Sequence, residues 1–245
     1  MWVLHHRGAF ASRLPAEVAV HELRHGRSLP LRRLETLMAA PRIATMIRER
    51  KPAVLLSAGN HFHLAASLAF RLAGRPAGTR FMGRASNATP RLGWPGLSAI
   101  ANAVDALKYR DMHRVIAVSH ELAHDLHHRL AIADEHIVVI PNGVDSEGIA
   151  KLAADPLDDP WFAGGAPPVV ISAGRLSRQK NYALLIDAFA RLRAARTARL
   201  VILGEGSDKA RQGLMSRAEV LGVAADVRLH GFEANPILYF ARAGV

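Results

Sequence analysis

Arg175 and Lys180 flank a strand-to-helix turn in the stretch SAGRLSRQKN, residues 172–181. A helix starting near Asn181 aims its free N–H groups and the positive end of its dipole at the same turn. Two cations placed there repel one another unless an anion joins them. Arg175 offers a planar fork that matches phosphate oxygens, and Lys180 a mobile point charge. Gly174 lets the backbone turn tightly and approach a ligand. A diphosphate satisfies all of these features together. The plain structural alternative is that both side chains extend into water.

Other strand ends carry candidates of their own. Gly231, Phe232 and Glu233, in HGFEAN, follow an apolar run and would lie where an open sheet binds ligands, beyond its carboxyl edge. A strand-ending glycine followed by a buried Phe232 reads equally well. His61 and His63 follow another run in SAGNHFHLAA (57–66). His61 there could orient or deprotonate an acceptor hydroxyl, or cap the next helix. Arg84 and Asn87, in GRASNATP (83–90), could bind acceptor or donor groups, and a turn role suits Asn87 as well. LGEGSD (203–208) lacks the third glycine of a dinucleotide fingerprint, which argues against a nicotinamide enzyme.

HELAH (120–124) satisfies the zinc-peptidase pattern, with His120 and His124 as ligands and Glu121 as base. The third ligand that a G-x-x-H continuation would supply is missing. Ser119 reads instead as an N-cap, with Leu122, Leu126 and Leu130 as the buried stripe and both histidines on another face. A zinc metallopeptidase is therefore the remote alternative, and no metal site is expected.

Positioning these residues requires strands and helices in alternation. Strands are expected at 2–6, 53–59, 114–119 and 136–143, with a further one in GTRFMGRAS (78–86). Helices are expected at 31–50, broken near Pro41, and at 63–74, 98–112 and 120–132. Residues 153–168, with four Pro and two Gly, read as linker. After them come strands at 168–174, 199–204 and 226–231 and helices at 181–195, 208–222 and 235–244. Leu184, Leu185, Ala188, Phe189 and Leu192 form the expected apolar stripe of the first of these helices. This rhythm is that of a parallel α/β sheet. It gives two domains, 1–150 and 151–245, joined near 146–167.

Composition narrows the classes. The chain has 245 residues, no Cys and a formal charge of +11. Disulfide frameworks and cysteine-based metal or redox chemistry are excluded. No apolar run reaches the roughly 18 residues of a membrane span, and the first residues lack the features of a signal peptide. A cytoplasmic protein is expected, at most touching the anionic inner face of a membrane. The basic residues are dispersed and not interleaved with aromatics, so nucleic acid is not expected as a partner.

AGRLSRQKNYALLIDAFARL resembles the donor-binding stretch of GT-B-fold glycosyltransferases, in particular family 4. VIPNGVD (139–145) resembles the segment closing that family's first domain, and VSHELAHDL a first-domain segment. LVILGEGSDKARQ and VRLHGFEANPILYFARAGV resemble the next two βα units. The resemblance implies two Rossmann-like domains and transfer of a sugar from a nucleotide diphosphate, with retention, to a carbohydrate or lipid-linked acceptor. It implies that Arg175 and Lys180 bind the donor diphosphate and act in catalysis, beside Gly174. It implies that the turn at Gly231, Phe232 and Glu233 meets the base, and that no cofactor is needed. The family's E-x(7)-E motif and the first strand with its Gly-rich loop are not found. Both domains are therefore expected to be incomplete and turnover by this chain poor; a non-catalytic nucleotide-sugar-binding protein or subunit is the alternative.

Overall fold

Short strand-length runs alternate with helical stretches, and each run adds one parallel strand to a sheet. The computed structural model describes residues 1–5, 14–23, 32–87 and 95–244. Contacts divide the chain into two units, Met1–Gly143 and Val144–Val245.

In the first unit, β1 (Trp2–Val3) pairs in parallel with β2 (His21–Glu22). A second sheet holds β3 (Val54–Ser57), β4 (Arg80–Ala85), β5 (Arg114–Ala117) and β6 (Ile137–Val139), all parallel and in chain order. The helices are α1 (Arg32–Met38), α2 (Ala40–Arg50), α3 (His63–Leu72), α4 (Pro95–Ala106) and α5 (His120–Leu130). Of the strand expected at 2–6, His6 lies outside the described residues. So do residues 88–94 of the loop after β4.

The break expected near Pro41 falls at Ala39. Pro41 sits in the first turn of α2, where its missing N–H costs nothing. Gly74, with φ +86°, turns the chain after α3. Buried Ile43, Ile47, Phe70, Phe81, Val115 and Leu126 tie helices to sheet. The Phe70 and Phe81 rings lie 5.2 Å apart.

In the second unit, α6 (Ser146–Ala153) precedes β7 (Val169–Ala173), α7 (Tyr182–Ala195), β8 (Arg199–Leu203), α8 (Asp208–Val220), β9 (Val227–Gly231) and α9 (Pro236–Phe240). The three strands are parallel in the order β7-β8-β9. β8 is central and apolar on both faces, with Leu200, Val201, Ile202 and Leu203 all buried. Tyr182, Ile186 and Phe189 of α7 cover one face, together with Ala218 of α8. The other face is covered by Tyr239 and by Leu157, Trp161 and Phe162.

Two expectations are corrected here. Residues 146–167 are not a linker. α6 forms because the Asp145 carboxylate accepts from Gly148 N at 2.9 Å, and the helix packs on α9. The proline-rich stretch behind it is held by Trp161, over which Arg199 and Arg228 stack at 4.9 and 4.4 Å. This draws residues 144–150 into the second unit. The stripe of α7 is also rotated from its expected position. Leu184 is 60% exposed, while Tyr182 and Ile186 join Phe189 in the core.

Candidate functional site

The carboxyl ends of β7, β8 and β9 are joined to one another through main chain. Gly174 N donates to Leu203 O (2.8 Å), Gly204 N to Gly231 O (2.6 Å), and Leu176 N to Glu205 O (2.7 Å). These bonds draw the three following loops into one continuous edge. Glycine is required at its centre. Gly204 has φ +150°, and a Cβ there would lie 1.9 Å from Gly174 O. At Gly174, φ is +152° and the space of a Cβ is taken by the Lys180 side chain, with Cε at 2.8 Å. Tyr182, at the start of α7, donates its hydroxyl to Gly174 O at 3.0 Å. Ser177 N donates to Arg175 O (2.7 Å), and a 3-10 turn, Arg178–Lys180, leads to Asn181 in the left-handed conformation at φ 49°.

The side chains of Arg175 and Lys180 are exposed, and among the described residues neither has an ion pair or a side-chain hydrogen bond. The stem of Lys180 lies back against Gly174, which brings its ammonium to the end of β7. Gly231 takes φ +99° and closes the same edge. Its neighbours behave differently. Phe232 is 47% exposed rather than buried. Glu233 turns its carboxylate into its own loop, accepting from Asn235 N at 2.8 Å, with His230 Nε2 at 3.5 Å. The Glu233 carboxylate is thus engaged within its own loop.

Sequence reasoning undervalued LGEGSD. The structure puts Gly204 and Gly206 against the backbone of the Arg175 loop, and a Cβ on Gly206 would lie 2.5 Å from that of Leu176. Arg211 went unnoticed. Its guanidinium donates to Leu229 O at 2.7 Å and reaches to 3.8 Å from where a Cβ of Gly231 would be. The signal lay in spacing alone, a cation in the first turns of the helix after the glycines.

In the first unit, Arg84 Nη2 donates to Asn142 Oδ1 at 2.6 Å, which joins β4 to the loop after β6. Asn60 accepts from Ser86 N at 3.0 Å and donates to Asn87 O at 2.8 Å, so Asn87 enters this network through its main chain. His61 is exposed beside Gly59, and the N-cap of α3, Phe62, gives no side-chain cap. The buried histidine is His63. Its Nδ1 bonds Ser57 Oγ at 2.8 Å, and burial, helped by the Lys108 charge, lowers its pKa to about 4.

The H-E-x-x-H stretch forms no metal cradle among the described residues. Ser119 caps α5 by accepting from Leu122 N at 3.2 Å, and Leu122, Leu126 and Leu130 are buried. Glu121 is held below the usual carboxylate range by its own backbone N–H and the Ser119 hydroxyl. The His124 ring lies against that of His128, centroids 4.0 Å apart and planes tilted by 51°.

Parallel α/β units of this kind, with a glycine-stitched cationic edge, define the class: a GT-B protein built on Rossmann-like domains. Residues 3–147 match the model for Glycosyltransferase Family 4, and residues 157–245 that for Glycosyl transferases group 1. The chain belongs to glycosyltransferase family 4.

The chain is similar in structure to Anabaena HepE in complex with UDP-glucose, at TM-score 0.71 and 20% identity, covering 99% of this chain and 63% of that one. It is similar to a glycosyltransferase of Rickettsia africae at TM-score 0.63 and 15% identity, covering 99% and 62%. A curated Campylobacter jejuni protein is 35% identical over 120 residues, 48% of this chain and 30% of its own length. It is named as an N-acetylgalactosamine-N,N'-diacetylbacillosaminyl-diphospho-undecaprenol 4-alpha-N-acetylgalactosaminyltransferase. This chain therefore spans less than two thirds of each. Among the described residues no helix is long and apolar enough to cross a membrane.

Proposed function

We propose that this chain serves the transfer of a sugar from a nucleotide-diphosphate donor to an acceptor hydroxyl, with retention at the anomeric carbon. The observation that carries the reading is the pair of cations, Arg175 and Lys180, without a carboxylate partner at the stitched edge of the second unit. As the bond from sugar to phosphate breaks, negative charge builds on the departing diphosphate. Fixed cations at that point stabilise the transition state more than the ground state. They supply what a divalent ion would otherwise provide, so the reaction as proposed uses no metal. The main chain at Gly231 to Glu233 meets the base. His61, Arg84 and Asn87, at strand ends of the first unit, face the acceptor.

The names of the relatives suggest the ligands. HepE was crystallised with UDP-glucose, and the Campylobacter protein is named for a diphospho-undecaprenol substrate. A UDP-sugar donor and a lipid-linked acceptor are proposed here, with the +11 charge favouring the anionic face of a membrane. Calorimetric titration with UDP and GDP tests the donor site. Lys180→Ala should weaken binding by about 1–3 kcal/mol, the scale of a charged hydrogen bond, and Lys209→Ala should leave it unchanged. Equal affinity for Lys180→Ala and the parent chain removes Lys180 from the site. EDTA should not alter the affinity. Radiolabelled sugar appearing in an undecaprenyl-linked product separates transfer from binding alone.

A further inference from the structure

Main-chain stitching of the ligand edge stops at Gly231, whose carbonyl accepts from Gly204 N. Beyond it lies the turn of residues 231–235, which the proposed reaction brings against the nucleotide base. Among the described residues, Glu233 and Ala234 make no main-chain hydrogen bond to another loop. The turn is held through side chains instead. Glu233 ties it within itself, accepting from Asn235 N at 2.8 Å. Asn235 ties it to the rest of the unit. Its Nδ2 donates to Leu152 O at 3.0 Å and to Asp155 Oδ2 at 2.7 Å, at and just beyond the end of α6.

This is an unusual use of Asn235. It stands at the N-cap of α9, where an asparagine ordinarily accepts from the amides of its own helix. No such cap forms, and Oδ1, the atom that would make it, is buried without a partner among the described residues. An unpaired buried acceptor costs free energy, so its presence calls for a reason. The amide nitrogen is turned toward α6. Only that nitrogen can face two acceptors at once, so its partners fix the orientation of the amide. α6 is well placed as an anchor. Carbonyls in the last turn of a helix lack partners within it. Arg242, just past α9, binds in the same place, donating to Ala153 O at 3.3 Å and to Asp155 O at 2.6 Å.

We propose that Asn235 is a positioning residue for the donor nucleotide. By tying the turn to α6, it sets where the main chain of Gly231 to Glu233 stands relative to Arg175 and Lys180. It thereby sets how the base and the diphosphate of one nucleotide are met together. α6, expected from its composition to be linker, becomes part of the frame of the nucleotide site. The inference rests on the donor-site reading of this turn.

Calorimetric titration of the full chain with UDP and with inorganic pyrophosphate tests it. Asn235→Asp sets a carboxylate against Leu152 O and the Asp155 carboxylate, acceptors with no donor between them. UDP should then bind about tenfold more weakly, the equivalent of one hydrogen bond. Pyrophosphate, which meets only the cations, should bind as it does to the parent chain. Asp155→Ala lies outside the turn and should weaken UDP binding in the same selective way, by less, because Leu152 O remains. Adding Asp155→Asn to Asn235→Asp returns a donor to the pair and should recover part of the loss. Unchanged UDP affinity in Asn235→Asp and Asp155→Ala overturns the proposal. So does pyrophosphate binding weakened as much as that of UDP, because the damage is then general. NMR relaxation of the ligand-free chain keeps this inference apart from the donor-site reading. The amides of Phe232 and Glu233 should gain motion in Asn235→Asp, while those of Gly174 and Arg175 should not. A turn as rigid as that of the parent chain overturns the proposal whatever the nucleotide does. If the parent chain binds neither probe, the donor-site reading fails, and a loosened turn still establishes Asn235 as its tie.

Discussion

Replacing Gly204 by Ala asks whether the stitched edge of the second unit rests on the absence of a side chain. The added Cβ would stand 1.9 Å from Gly174 O and 2.6 Å from its carbonyl carbon. Both are main-chain atoms, so no rotamer change relieves the contact. Holding an alanine at φ +150° adds strain of about 1–3 kcal/mol. Forcing the loops apart also breaks the bond from Gly204 N to Gly231 O, worth about 1 kcal/mol net. Together these give a loss of about 2–4 kcal/mol in urea unfolding, with weaker UDP binding as the Arg175 loop shifts. Gly213→Ala is the matched control. It lies inside α8, and a Cβ there meets nothing within 4 Å. That substitution should stabilise by about 0.5–1 kcal/mol. Equal stability of Gly204→Ala and the parent chain would falsify the account of the edge, whatever its effect on nucleotide binding.

Other outcomes follow from buried and paired groups. His63 has a folded pKa of about 4 against an ordinary value of 6.5, so the unfolded chain binds the extra proton between them. Stability is full above pH 6.5 and declines as pH falls toward 4, by about 3 kcal/mol in all. Unfolding of His63→Gln measured across that window should show a shallower slope, and an unchanged slope rules His63 out as its source. Arg228→Ala leaves the Asp159 carboxylate, only 9% exposed, without its 2.6 Å partner, and uncovers one face of Trp161. A loss of about 2–4 kcal/mol with a shifted tryptophan emission is expected; native emission and stability together would contradict the clasp.

The sequence shows most clearly what local chemistry alone decides. The strand-length apolar run 200–203 became the core of a strand because it is apolar at every position, as a central strand of a parallel sheet requires. Ser119 and the leucines of α5 were legible for the same reason, being a cap and a period within one helix. What failed depended on contacts distant in sequence. Trp161 looked like part of a linker because its holders, Arg199 and Arg228, arrive on later strands. The stripe of α7 was misplaced because Leu184 is as apolar as Ile186, and only the sheet beneath decides which is covered. At the candidate site, Gly174, Arg175 and Lys180 were visible as residue types. The role of Gly204 was not, because it comes from a carbonyl on a neighbouring strand.

The loops of the second unit hold one another through amides and carbonyls, and this has a bearing on how freely such proteins diverge. Main-chain bonds are indifferent to side-chain identity. Ser177, Gln179 and Glu205 can therefore be exchanged without disturbing the platform, provided the glycines persist. Similar architectures at 14–20% identity are what such a scaffold permits. Those exposed positions can be randomised while the underlying frame stays intact.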